Sequence, residues 1–218
     1  MGDNLTNAAI GHRQALQEIL QVFRQSTDPE KLAEKSGTCY VVKGEEGVFI
    51  LPYYGDELHI KYPTGEISNQ TTGQEVPAKD QIVLFNYLVN SVAVPERDEW
   101  KTFKELSAAP HHWNIFIPEA INALVNGFGH DLEAFQEAAV KLGGQPVKLG
   151  DSGFRFAVLP RIVLQVGVWE GDEEFPTQAT ILFNTTATMQ ADTATLFSLA
   201  IGLVRRLLYL AGKRSSPQ

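Results

Sequence analysis

The chain has 218 residues, a net charge of −8 and a hydrophobic fraction of 44%. That length fits one large domain or two small ones, and that hydrophobic fraction excludes a disordered chain. The acidic balance argues against nucleic-acid binding, which needs a basic face. The single cysteine, Cys39, excludes an internal disulfide and a cysteine-ligated iron–sulfur cluster in this chain.

Leu5, Ala8, Ala9, Leu16, Ile19, Leu20 and Phe23 recur at the spacing of one helical face, with His12 on the same face, and predict a helix over about 6–24. Asp28-Pro29 supplies an N-cap and a first-turn proline for a short helix that Gly37 ends. A β-meander follows, with strands over 38–43, 48–53 and 57–62. In the third strand Leu58, Ile60 and Tyr62 alternate with Glu57, His59 and Lys61, which implies one buried face and one wet face. Cys39 falls on the first strand, where a buried, inert thiol is expected. The polar stretch 69–74 reads as a mobile loop.

Pro77 opens a helix over 78–92, striped by Ile82, Phe85, Leu88, Val89 and Val92. After a charged connection at 95–99 come Trp100, Phe103 and Leu106, and then a loop carrying His111-His112-Trp113-Asn114. Two helices are expected next, one from Pro118 to about Phe128 and one over 131–142, forming an antiparallel hairpin. The stretch 153–184 reads as the centre of an antiparallel sheet. In it the almost wholly apolar run Ile162–Trp169 suits an interior strand covered on both faces. The last helix, about 192–211, has two apolar stripes, wide enough to lie across a sheet or to form a partner or homodimer interface. Its longest apolar run, 194–204, is short of the roughly 20 residues a bilayer needs, so no membrane span is expected.

The sum is an α+β fold, with helices packed against a largely antiparallel β-sheet in a single domain over 1–218. Its parts are an N-terminal helix and meander (1–75), a helical segment (76–145), and a β-hairpin with the C-terminal helix (146–212).

The chain has no P-loop, GxSxG, HExxH, EF-hand loop or CxxC. The densest candidate site is the acidic turn Trp169-Glu170-Gly171-Asp172-Glu173-Glu174-Phe175-Pro176. Its carboxylates suit a hard cation or a general acid, and Trp169 and Phe175 give it the composition of a binding surface. The second candidate is His111, His112 and Trp113, since loop histidines ligate metals or a tetrapyrrole iron. If the two met, His111 or His112 with Asp172 or Glu174 would make a mixed nitrogen and oxygen metal site.

Asp80-Gln81-Ile82, Tyr87-Leu88, Trp100, Phe103, Glu105-Leu106, Phe128-Gly129, Leu142-Gly143-Gly144, Leu159-Pro160-Arg161 and the WEGDEEFP turn together resemble the family catalogued as domain of unknown function 3786, over about 32–208. The resemblance implies a prokaryotic, largely anaerobe-associated protein. Similar proteins can carry an iron–sulfur module, which points to corrinoid or one-carbon redox metabolism, and this chain lacks the cysteines for one. The resemblance brings no catalytic residues. The functional expectation is a cytoplasmic, non-enzymatic binding or accessory protein for a cofactor-sized ligand, such as a corrinoid or other tetrapyrrole, or for a protein partner. The alternatives are an enzyme using Asp172, Glu173 or Glu174, and a structural subunit docking through the C-terminal helix.

Overall fold

Short turns between apolar runs, with helices laid against the resulting sheets, build an α+β fold with two antiparallel sheets. The computed structural model describes residues 2–44 and 46–215, and side chains from residue 11 onward except those of Lys43 and Glu45. Glu45 of the first hairpin turn and the side chains of Leu5, Ala8 and Ala9 therefore lie outside the described residues. The chain divides into two compact units, Met1–Val94 and Pro95–Gln218.

In the first unit, α1 (Gly2–Gln25), α2 (Pro29–Ser36) and α3 (Ala78–Asn90) accompany a four-stranded sheet. Its strands are β1 (Cys39–Lys43), β2 (Glu46–Tyr53), β3 (Asp56–Tyr62) and β4 (Ile67–Asn69), in that order across the sheet. Asp28 caps α2 by accepting the Lys31 amide at 2.9 Å, and Gly37 closes it with φ of 70°. The alternation in β3 appears as expected through Ile60, while Lys61 and Tyr62 are both half-buried. Leu58 and Ile60 are fully buried, while Glu57 is exposed and lies 2.7 Å from the Nε2 of half-buried His59. Phe23 of α1 anchors the core, with its ring 5.7 Å from Phe49, 5.6 Å from Tyr62 and 5.0 Å from Phe85.

Two readings of this unit are corrected. Cys39 is exposed, because β1 is the edge of its sheet and pairs on one side only. The polar stretch 69–74 is a hydrogen-bonded turn, not a free loop. Ile67–Asn69 forms a fourth strand, Asn69 Oδ1 accepts the amides of Thr71 and Thr72, and Thr71 Oγ1 accepts the Glu57 amide at 2.8 Å.

The second unit is built on a five-stranded antiparallel sheet in the order β5-β9-β8-β7-β6. Its strands are β5 (Trp100–Thr102), β6 (Gln145–Pro146), β7 (Ser152–Leu159), β8 (Ile162–Trp169) and β9 (Gln178–Asn184). The interior position of β8 matches its apolar composition: Ile162, Leu164, Val166 and Val168 are fully buried, and Val163 is buried on the opposite face. Around the sheet pack α4 (Trp113–Phe116), α5 (Asn122–Phe128), α6 (Leu132–Lys141), α7 (Ala187–Gln190) and α8 (Thr193–Leu210). Both stripes of α8 turn inward. Leu196, Leu199, Leu203 and Leu207 are fully buried, and the helix meets α5, α6 and α7. Gly127 on α5 gives Leu208 room: a Cβ there would stand 2.3 Å from its methyl group. By length and composition alone α8 could cross a membrane, but 56% of it is buried inside the protein, as befits a core helix.

The helix expected from Pro118 begins a turn earlier, at Trp113. Pro118 has no N–H for the preceding turn, and the helix widens there into a π turn over Ile117–Ile121 rather than ending. The presumed loop His111-His112-Trp113-Asn114 is thereby corrected. His111 closes a 3₁₀ turn (Ala109–His111), and Trp113 and Asn114 are helical.

Gly153 lies where the chain folds back on itself. Its carbonyl accepts the Val147 amide at 2.9 Å, and a Cβ would sit 2.3 Å from the Leu149 carbonyl oxygen. Gly153→Ala is expected to lower stability by about 1–3 kcal/mol through this backbone collision, read from the urea midpoint.

Candidate functional site

The second unit carries a cleft that begins with a capped turn. The amide and hydroxyl of Thr102 both donate to Glu105 Oε2 at 2.7 Å, and these bonds, the hydroxyl's first, hold the Glu105 carboxyl below its ordinary pKa. The 3₁₀ turn Phe103–Glu105 is fixed in this way, with Phe103 buried and Lys104 exposed.

The Phe103 ring stacks on Phe116 at 4.0 Å and 13°, and Trp113 runs nearly parallel to it at 6.4 Å and 9°. Phe183 from β9 and Phe197 from α8 close the cluster at 5.9 and 6.1 Å from Phe103. Trp113 thus rests on a buried aromatic platform while staying half-exposed. Beside it opens a cleft of about 240 Å³ lined by Lys104, Ala109, Pro110, Trp113 and Asn114. Its lining is apolar apart from the exposed residues Lys104, with its ammonium, and Asn114, with its carboxamide. That combination suits a flat apolar group bearing negative charge, through stacking, cation–π attraction and hydrogen bonding.

Of the sequence candidates, Trp113 lines this cleft. His112 packs its ring 5.0 Å from Phe197, and His111 is exposed. Asn114 lies in the same short stretch as Trp113, whereas Lys104, Ala109 and Pro110 belong to no motif.

The acidic turn is built differently. Asp172 Oδ1 accepts the amides of Phe175 at 2.7 Å and Glu174 at 2.8 Å, and the Asp172 amide donates back to the Phe175 carbonyl. The Phe175 amide first, then that of Glu174, holds the Asp172 carboxyl below its ordinary value of 3.8. Thr177 Oγ1 accepts the Gly171 amide and donates to the Gly129 carbonyl, tying the turn to the end of α5. Asp151 Oδ2 accepts the Glu170 amide at 2.9 Å. Glu173, Glu174 and Phe175 are exposed and Trp169 is half-buried. Among the described residues no three or more His, Cys, Asp or Glu side chains are grouped to hold a metal ion, so His111, His112, Asp172 and Glu174 form no such set. The first unit has a larger groove of about 500 Å³ along His12, Arg13, Leu16, Pro77, Ala78 and Lys79.

The fold and these sites define an α+β protein with two antiparallel sheets and an aromatic-backed cleft. The family described as Domain of unknown function (DUF3786) matches residues 28–206, and the chain belongs to it. No curated protein and no solved structure matches the chain.

The Asp172 geometry makes a prediction about acid stability. Its carboxyl is held below 3.8, so its stabilising contribution is complete above that value and is lost as pH falls through the folded-state pKa. The gap in urea midpoint between the wild type and Asp172→Asn is expected to stay constant from about pH 7 to pH 4 and to narrow below.

Proposed function

We propose that the protein is a non-enzymatic binding protein whose Trp113 cleft seats the flat, anionic part of a cofactor-sized ligand. The observation that carries this reading is the half-exposed Trp113 face, held on the Phe103–Phe116 stack with the exposed Lys104 and Asn114 in the cleft lining. The cleft is smaller than the roughly 300–1,000 Å³ pockets that enclose drug-sized molecules. A tetrapyrrole or corrinoid would therefore enter edge first, its ring margin on Trp113 and a side-chain carboxylate at Lys104. Two features favour binding over carboxylate catalysis: the Asp172 carboxylate is engaged by the amides of its own turn, and no acid lines the cleft. The setting we propose is the reducing cytoplasm of an anaerobic prokaryote, which suits a chain with one exposed thiol.

Tryptophan fluorescence titrations under nitrogen, with protoporphyrin IX as the tetrapyrrole and 1-naphthoate as a compact aromatic anion, test this reading. Saturable one-to-one quenching is expected. Trp113→Ala should weaken it about tenfold, which is about 1.4 kcal/mol of lost stacking. Lys104→Ala should weaken it by a few-fold, as befits an exposed charge, and Asp172→Asn should leave it unchanged. Unaltered affinity in Trp113→Ala would exclude the cleft as the site. Saturation by naphthoate alone would replace the tetrapyrrole with a compact ligand.

A further inference from the structure

The edges of the two sheets are unequal. β4 and β5 have three residues each and β6 has two, ending in Pro146. Short edges and proline resist pairing with another chain. β1 is different: it is a five-residue edge, Cys39-Tyr40-Val41-Val42-Lys43, with no proline and its one charge at the end. Val42 on it is 68% exposed, and Cys39 is exposed too.

The register shows which backbone groups face outward. β1 and β2 are joined by a two-residue turn, with Lys43 paired to Glu46, Val42 to Gly47 and Val41 to Val48. A two-residue hairpin turn is closed by a hydrogen-bonded pair, and such pairs alternate along the ladder. The N–H and C=O of Lys43, Val41 and Cys39 therefore point at β2, and those of Tyr40 and Val42 point away. Among the described residues no backbone group outside the ladder bonds to Tyr40 or Val42.

We propose that β1 is the pairing edge of a homodimer, in which β1 of a second copy lies antiparallel to it across a two-fold axis at Val41. This strand is self-complementary about that axis. Tyr40 of each copy faces Val42 of the other, and each such pair exchanges two hydrogen bonds through the outward groups. Val42, 68% exposed in the single chain, gains a cross-strand neighbour at Tyr40 of the other copy, whose own ring stays packed over Phe49 and Gly47 of β2. Lys43 falls opposite Cys39 of the other copy, so the two Lys43 positions lie at opposite ends of the ladder. β1 belongs to the first unit and Trp113 to the second, and the proposal does not depend on the Trp113 cleft.

Light scattering of the full chain during size-exclusion chromatography, over about 1–100 µM, should show a concentration-dependent dimer. Val42→Pro removes an outward donor without touching the β1–β2 ladder and should shift the chain to monomer. The register has its own test. Val41 and its counterpart form a non-hydrogen-bonded pair, with Cα atoms about 4.5 Å apart, within disulfide reach. The two Cys39 residues lie four positions out of register, about 13 Å apart along the strand. The double variant Cys39→Ser, Val41→Cys should therefore form a covalent dimer under mild oxidation, while the wild type should not. A wild type that stays monomeric throughout would overturn the proposal. So would a dimer that cross-links through Cys39 but not through position 41.

Discussion

Phe103 and Phe116 lie 4.0 Å apart and 13° from parallel, and the cleft of the second unit depends on that contact. The two rings come from the turn after β5 and from the first turn of the helix run. Phe183 and Phe197 bring β9 and α8 to the same point. Rings from four separate stretches of chain meet only if each element is set at the right depth and angle. Stacked and tilted ring pairs hold that geometry beyond what their buried area alone supplies. Trp113 takes its orientation from this cluster, so its exposed face is fixed before any ligand arrives. A preset face spares a ligand part of the ordering cost of binding.

The sheets and most helices were legible because their signals are local. Leu58 and Ile60 alternate with Glu57 and His59, and the run Ile162–Trp169 leaves no wet face to assign. The start of the helix near Trp113 was hidden by Pro118, which reads as a first-turn residue when only neighbours are considered. Here it sits inside a π turn, and the helix before it is secured by Trp113 and Phe116 packing on Phe103. The exposure of Cys39 escaped notice for a related reason: a strand sequence does not state whether it is an edge.

The candidate site was half legible. Trp113 stood out only beside the paired histidines His111 and His112, and Lys104 and Pro110 join it only through the fold. The acidic turn shows the opposite failing. Three consecutive acids suggest a shared site, yet consecutive side chains diverge on a tight turn, and the one carboxylate with partners spends them on its own backbone. Asp172 shapes the hairpin between β8 and β9 as an Asx residue does, and Thr177 fastens it to the end of α5.

The division of the chain into two units also separates its chromophores. Trp100, Trp113 and Trp169 all belong to the second unit, whereas Tyr40, Tyr53, Tyr54, Tyr62 and Tyr87 belong to the first, leaving Tyr209 as the lone tyrosine of the second. Light at the red edge of indole absorption excites one unit alone, and the near-ultraviolet signal of the other is almost wholly phenolic. The protein thus carries two colours of intrinsic reporter, one for each half, without any label attached.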